Sequence, residues 1–321
     1  MELRQLKYFI AIVEAGSFSK AAIHANVVQS ALSQQIAALE SELAAPLLVR
    51  SANGVNPTAA GELFYQHAQH VLRQVEHAKS VIHSCDNQPS GPVSIGLPTS
   101  TAASLSVPLI EACLDRYPGI QLHIMEGLSR QIHQALNNAA IDMAIQFSGQ
   151  SLHGFKSQRL LTEELFVVTS AIGKTSHRGQ INTVSLDELR EMRLMLPGRG
   201  NGLRDLVERL LNNIGIAANP IVELGSLTTI IEAARKGIGA TILPWGAFQQ
   251  EFAAGHLCAY RLEGLSIPRS LMLCVSGTLP LSNAAQTFHG LVIDVVSQLV
   301  QQGSWKEVNL QTASPSAEQA D

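Results

Sequence analysis

The sequence predicts an α/β chain of several domains, with a small helical domain ahead of a larger unit of alternating strands and helices. Three observations carry this. Residues 19–34 read as a short helix, a turn and a second helix. Residues 58–84 form a long amphipathic helix without an internal proline. From Gly91 onward, short apolar runs bounded by glycine and proline alternate with helical patterns. At 321 residues the chain exceeds one ordinary core and has room for two or three domains.

Composition narrows the class. The chain is 46% hydrophobic and 15% charged, which is globular. No run approaches the ~18 consecutive apolar residues of a membrane helix. Charge in Met1-Glu-Leu-Arg-Gln-Leu-Lys7 occupies the place where a signal peptide needs apolar residues. Cys85, Cys113, Cys258 and Cys274 are widely separated and form no Cys-x-x-Cys pair. Reduced thiols in a cytoplasmic protein are expected, with no metal site, cofactor or disulfide framework.

In the first domain Leu3, Leu6, Phe9, Ile10 and Val13 recur at helical spacing over residues 3–15, and Gly16 is placed to end that helix. Ser17 or Ser19 can cap the next helix, which carries small residues at Ala21, Ala22 and Ala25. A turn of three or four residues leads to a third helix beginning near Gln29. Its buried stripe is Leu32, Ile36, Leu39 and Leu43, and its opposite face carries Gln29, Ser30, Ser33 and Gln34. This is the pattern of a helix-turn-helix, whose second helix enters the DNA major groove. Glutamine can bond adenine edges there, serine can reach base or phosphate, and the helix N-terminus favours phosphate. The alternative is a three-helix bundle with a solvated polar face. Two short extended pieces then flank Asn53-Gly54, a hairpin turn signal, and a hairpin in this place is a wing. The charge balance works against strong phosphate binding. Net charge is −4, and Arg4, Lys7, Lys20 and Arg50 are offset by Glu2, Glu14, Glu40 and Glu42.

Residues 1–61 resemble the winged helix-turn-helix of the LysR-type transcriptional regulators. The resemblance rests on Leu3-x-x-Leu6-x-x-Phe9, Gly16-Ser-Phe-Ser19-x-Ala21-Ala22, Gln29-x-Ala31-Leu-Ser-Gln-Gln-Ile36, Leu39-Glu40-x-x-Leu43, Pro46-Leu47, Arg50 and Pro57-Thr58-x-x-Gly61. It implies DNA contacts from Ser19, Lys20, Gln29, Ser30, Ser33, Gln34, Arg50, Asn53 and Thr58. Three positions depart from the family pattern. Ser30 stands where proline is usual at the first helical position, Ala44 where glycine follows the helix, and Asn53 where the wing is usually basic.

Along the long helix Phe64, Ala68, Val71, Val75, Ala78 and Ile82 are spaced 4, 3, 4, 3 and 4, a coiled-coil seam on a helix roughly 40 Å long. Homodimerisation through this seam is expected, with packing on the chain's own second domain as the alternative. The polar segment from Cys85 to Pro92 is a natural hinge.

Beyond it, strands are expected at 93–97, 120–125, 141–147, 165–170, 194–196, 221–223 and 240–243. Helices are expected at 102–116, 128–138, 203–213, 226–236 and 282–300, in mainly parallel sheets. Ligands of such sheets bind at strand carboxyl ends near helix N-termini. Thr99-Ser100-Thr101, Phe147 and the run Gly198-Arg199-Gly200-Asn201 sit at such junctions, as do Ser226 and Thr228; Arg199 or Arg204 could pair with a carboxylate. Each loop could equally be a helix cap or a turn.

Gly91-x-Val-x-Ile-Gly96, Ile141-Asp-Met-Ala-Ile145 and Gly237-Ile-Gly-Ala-x-Ile-Leu-Pro244 make this half similar to the LysR-type effector domain. Thr101–Ser104 and Leu227–Thr229 are similar to its nitrogen-assimilation-control branch. The resemblance implies two subdomains of periplasmic-binding-protein type with crossovers near 161 and 265. The division is then 1–58 for DNA binding and 59–90 for dimerisation and hinge. Residues 91–161 with 266–303 form one effector subdomain and 162–265 the other, leaving 304–321 as a flexible tail. The implied partners are double-stranded DNA, a small, often anionic effector in the cleft, a second copy or a tetramer, and RNA polymerase, with no membrane. A regulator needing no small effector stays open, as does an α/β enzyme or solute-binding protein. Against the enzyme, no Ser-His-Asp arrangement, nucleophile elbow, P-loop or metal-spaced cluster appears in the sequence.

Overall fold

A computed structural model of the chain describes residues 1–51, 54–83, 88–148, 152–173 and 179–310. They form two compact units that part near residue 88.

The first unit opens with α1 (Leu3–Ala15), ended by Gly16 at φ +61°, and α2 (Phe18–His24), whose Ser17 cap accepts the Lys20 N–H. A turn leads to α3 (Gln29–Leu43). Phe9, Ile12, Phe18, Ala21, Ala22, Leu32, Ile36 and Leu39 make the core. Two expected core positions, Leu3 and Leu43, are exposed, because each lies on a terminal turn that extends past the core. Ser30 is the second residue of α3, not its first. Ala44 follows α3 in the left-handed region at φ +51°, a conformation that glycine adopts without the steric cost of a Cβ. Ala44→Gly is therefore expected to stabilise this unit by about 1 kcal/mol, read by calorimetry as an upward shift of its transition.

The wing is a hairpin of β1 (Leu48–Ser51) and β2 (Gly54–Pro57), with Arg50 opposite Val55 and Ser51 opposite Gly54. Gly54 thus belongs to the second strand, so the connecting residues are 52 and 53 and not the Asn53-Gly54 pair. Those two, including Asn53, lie outside the described residues. At φ +119°, Gly54 also lies so close to the Gly16 carbonyl that a Cβ would stand 2.7 Å from it. Glu40 of α3 accepts the N–H groups of Leu47 (2.7 Å) and Leu48 (3.0 Å), tying the wing to that helix.

The long helix is α4 (Ala59–His83). Its seam is not one continuous partner surface. Phe64 packs edge-on against Phe9 of α1 at 5.2 Å, and Ala68 is buried within its own chain. A 4-3-4-3 spacing reports an apolar stripe without saying which chain covers it. Val71 and Ala78 are exposed and Val75 is half-buried, while the Ile82 side chain lies outside the described residues.

In the second unit, β3 (Gly91–Pro98), α5 (Thr99–Arg116), β4 (Ile120–Gly127), α6 (Ser129–Asn137) and β5 (Met143–Phe147) come first. Then follow β6 (Phe155–Ser170), β7 (Ile181–Val184), α7 (Leu186–Glu191), β8 (Met195–Pro197), α8 (Gly202–Asn213), β9 (Val222–Leu224), α9 (Leu227–Arg235) and β10 (Thr241–Pro244). The chain closes with α10 (Trp245–Ala253), β11 (Leu257–Leu262), β12 (Pro268–Ser276), α11 (Asn283–Gln301) and β13 (Val308–Leu310). The main sheet runs β4-β3-β5-β12-β6-β11-β7, with β10 and β13 also paired to β6. It is mixed and not mainly parallel. Pairs β3–β4, β3–β5 and β7–β11 are parallel, but β6 runs antiparallel to β10, β11, β12 and β13. The expectation of mainly parallel sheets fails because it leaves out β11 and β12, and because the expected strands β6 and β10 themselves pair antiparallel. Two apolar cores lie along β6. One gathers Ile95, Leu105, Met143, Leu273, Phe288 and Val292, and the other Phe166, Val168, Leu196, Ile242, Phe248 and Leu257.

The segment after Gly303 is not loose throughout. Trp305 is buried, Val308–Leu310 pair with Leu161–Glu163 of β6, and the Glu307 carboxylate pairs with Arg261. The polar character of the segment hides one indole anchor and a three-residue strand. Residues 311–321 lie outside the described residues.

Candidate functional site

In the first unit, hydrogen bonding draws four of the anticipated residues into one polar face. The Ser19 hydroxyl on α2 bonds Gln29 Oε1 on α3 at 3.1 Å, and Arg50 Nη2 on β1 donates to the Ser33 hydroxyl at 3.4 Å. Arg50 also lies 4.2 Å over the Phe18 ring, which fixes a cation on the wing strand next to α3. Lys20, Ser30 and Gln34 are exposed. Val28 caps α3 without any side-chain bond, so the amides of its first turn have no side-chain acceptor. Thr58 is committed within the fold, since its hydroxyl donates to the Pro46 carbonyl (2.7 Å) and accepts the Gly61 N–H (2.9 Å). It ties the wing to α4 and does not offer its proton outward.

In the second unit a cleft is lined by Pro98, Thr99 and Ser100, by Gly127–Ser129, Phe147, Pro197, Asn201 and Leu203, and by Leu224, Gly225, Leu227, Ile230 and Arg269. The N-termini of α5, α6, α8 and α9 all meet it, at Thr99, Ser129, Asn201 and Leu227. Each N-terminus contributes partial positive charge. Pro98 caps α5 with no side-chain bond, which leaves that helix's first amides available. The Asn201 side chain is already used, accepting the Leu203 N–H.

Arg269 supplies the full charge. It is 2% exposed, lies 4.0 Å over the Phe147 ring, and donates from Nε to Glu163 Oε1 at 2.8 Å and from Nη2 to the Ser100 hydroxyl at 3.1 Å. Its Nη1 is buried and makes no hydrogen bond. The cleft thus brings together a guanidinium with one unpartnered donor, four helix N-termini and an aromatic face, while Glu163 already balances the charge of Arg269.

Thr99, Ser100, Phe147 and Asn201 thus line the cleft as expected from the sequence. Gly198, Arg199, Ser226 and Thr228 do not. Arg199 is exposed, Ser226 is the exposed cap of α9, and Thr228 is exposed beside it. Thr101 is buried just behind Ser100, with a hydroxyl that has no partner. The other arginine considered, Arg204, is spent on Glu208, Glu223 and the Pro197 carbonyl. The residue that sequence reasoning missed is Arg269. Its signal was alternation, since Arg269 and Leu271 share the inward face of β12.

Comparison with known proteins agrees with both halves. Residues 3–62 match the bacterial regulatory helix-turn-helix protein, lysR family, and residues 86–297 match the LysR substrate binding domain. The chain is 34% identical over 311 residues to the nitrogen assimilation regulatory protein nac of Escherichia coli (strain K12), covering 96% of this chain and 100% of that one. It is 35% identical over 299 residues to the nitrogen assimilation regulatory protein nac of Klebsiella aerogenes, covering 93% and 96%. A full-length OxyR point variant from Pseudomonas aeruginosa shares the fold at TM-score 0.70 and 21% identity, over 98% of this chain and 99% of that one. Full-length CbnR complexed with its target DNA does so at 0.69 and 22%, over 92% and 100%. Among the described residues no helix is long and apolar enough to cross a membrane. The chain belongs to the LysR family of DNA-binding transcription regulators, with a helix-turn-helix domain followed by an effector-binding domain.

Proposed function

We propose that this regulator is controlled by a small anionic metabolite held against Arg269 in the cleft of the second unit. The observation that carries the reading is the buried, unpartnered Nη1 of Arg269 at a place where four helix N-termini meet. On this reading residues 91–161 with 266–303 and residues 162–265 are the two subdomains on either side of the cleft, and a ligand held by both favours their closure. DNA is read by Gln29, Ser30, Ser33 and Gln34 of α3, with Ser19, Lys20 and Arg50 on the flanking backbone. The exposed positions of the α4 seam, from Val71 onward, join two copies, and two dimers form a tetramer. The protein acts in the cytoplasm and catalyses no reaction.

A second reading has one observation in its favour. The cleft encloses about 30 Å³, room for a water or two, and Glu163 already holds Arg269 from inside the chain. On this reading the domain rests in its working state without a small ligand. Thermal denaturation of the full chain in the presence of small mono- and dicarboxylates separates the two. An effector at a hundred times its Kd is expected to stabilise the fold by about 2.7 kcal/mol. An unchanged melting temperature across the series favours the ligand-free reading.

A further inference from the structure

Ile23 and Val28 are the most exposed of the large apolar side chains described in the first unit, at 74% and 69%. They bracket the turn of the helix-turn-helix. A lone exposed apolar residue is ordinary on a protein surface. Val28 is not ordinary, because it also occupies the cap of α3 and makes no capping bond there. Serine, threonine or asparagine would satisfy an amide of the first turn and stabilise the helix. A residue that breaks a local rule with no gain in packing points to a functional demand at that place.

The surroundings identify the demand. Gln29, the next residue, is held by Ser19, and Ser33 one turn on is held by Arg50. The isopropyl group of Val28 therefore stands at the leading end of a braced helix. The domain's charges balance, so phosphate neutralisation adds little and uncharged contacts to base edges must supply more of the binding. The apolar group presented in the major groove is the 5-methyl of thymine. We infer that Val28 is a specificity-determining residue that reads a thymine methyl group in each half-site. The inference rests on α3 being the recognition helix.

The test uses full-length protein and a duplex recovered from random DNA by selection with that protein. Each thymine is replaced in turn by deoxyuridine, which removes only the methyl group. At one position per half-site the wild type is expected to bind about fourfold more weakly, the effect of one buried methyl group. Val28→Ala, which leaves the cap equally poor, is expected to bind the thymine duplex about fourfold more weakly and to be indifferent to uridine at that position. Val28→Ser is expected to raise the melting temperature while lowering affinity, which a purely structural residue would not do. A uridine penalty that is absent, or that persists in Val28→Ala, overturns the inference. Gln34→Ala separates the two levels. If it loses specific binding while Val28→Ala keeps it, only the Val28 assignment falls. If both variants bind as wild type, the recognition-helix reading falls with it.

Discussion

Glu163→Leu is expected to destabilise the effector-binding unit by about 3–5 kcal/mol, and adding Arg269→Met is expected to restore most of that loss. The two residues face each other across β6 and β12 and are 3% and 2% exposed, so neither charge reaches water. Removing the carboxylate alone leaves a guanidinium buried with only the Ser100 hydroxyl as a hydrogen-bond acceptor and the Phe147 ring as a neighbour. Removing both charges replaces an ion pair by apolar volume, which costs far less because two desolvation penalties vanish with the attraction. Denaturant unfolding of the wild type, both single variants and the double variant measures this coupling directly. Simple addition of the single-variant effects would refute a buried pair. The same geometry bears on control. If the cleft takes a carboxylate against Arg269, as proposed, Glu163 is its competitor, and Glu163→Gln is expected to increase affinity for that carboxylate. Glu163 also lies on the strand that runs between the two cores, and its backbone partner on the other edge is Val308.

How far the sequence disclosed this depends on the kind of signal each residue leaves. The helix-turn-helix was legible because 3.6-residue periodicity, Gly16 at a helix end and a polar stripe on α3 are all local. Thr99, Ser100, Phe147 and Asn201 were legible for a similar reason, since each ends a strand or opens a helix. Arg269 was not, because it lies inside a strand and comes to line the cleft only when β12 pairs with β6 beside the start of α5. Arg199 was attractive because glycines surround it, but backbone freedom does not aim a side chain, and it is exposed. Phe64 and Ala68 show the same limit in the long helix. Their spacing is that of a coiled coil, yet Phe64 packs edge-on against Phe9 of its own chain. Trp305 is the converse, a buried indole among polar neighbours whose burial no periodicity announces. Long-range pairing decides each of these cases, and one sequence carries little trace of it.

Gly61→Ala is the second substitution with a large expected effect. Gly61 lies in the first turn of α4, and a Cβ there would stand 2.0 Å from the Leu47 carbonyl oxygen and 3.0 Å from its carbon. Both are backbone atoms, so no rotamer change relieves the contact. Leu47 cannot easily retreat. Its N–H is held by Glu40, its carbonyl accepts the Thr58 N–H at 2.9 Å, and the preceding carbonyl accepts the Thr58 hydroxyl. Alanine must therefore break this knot or push the start of the wing away from α4. Overpacking of this kind is expected to destabilise the first unit by about 3 kcal/mol. It also displaces the strand that sets Arg50 against Ser33 and Phe18, so DNA affinity is expected to fall together with the melting temperature. Gly290→Ala is the control, because Gly290 lies within α11 with nothing within 4 Å of its added Cβ. There alanine is expected to stabilise by about 1 kcal/mol, through helix propensity alone. Calorimetry of the two variants thus tests opposite signs from one chemical change. A neutral Gly61→Ala would mean that the wing is not anchored on α4, and the braced reading face that depends on that anchor would have to be abandoned.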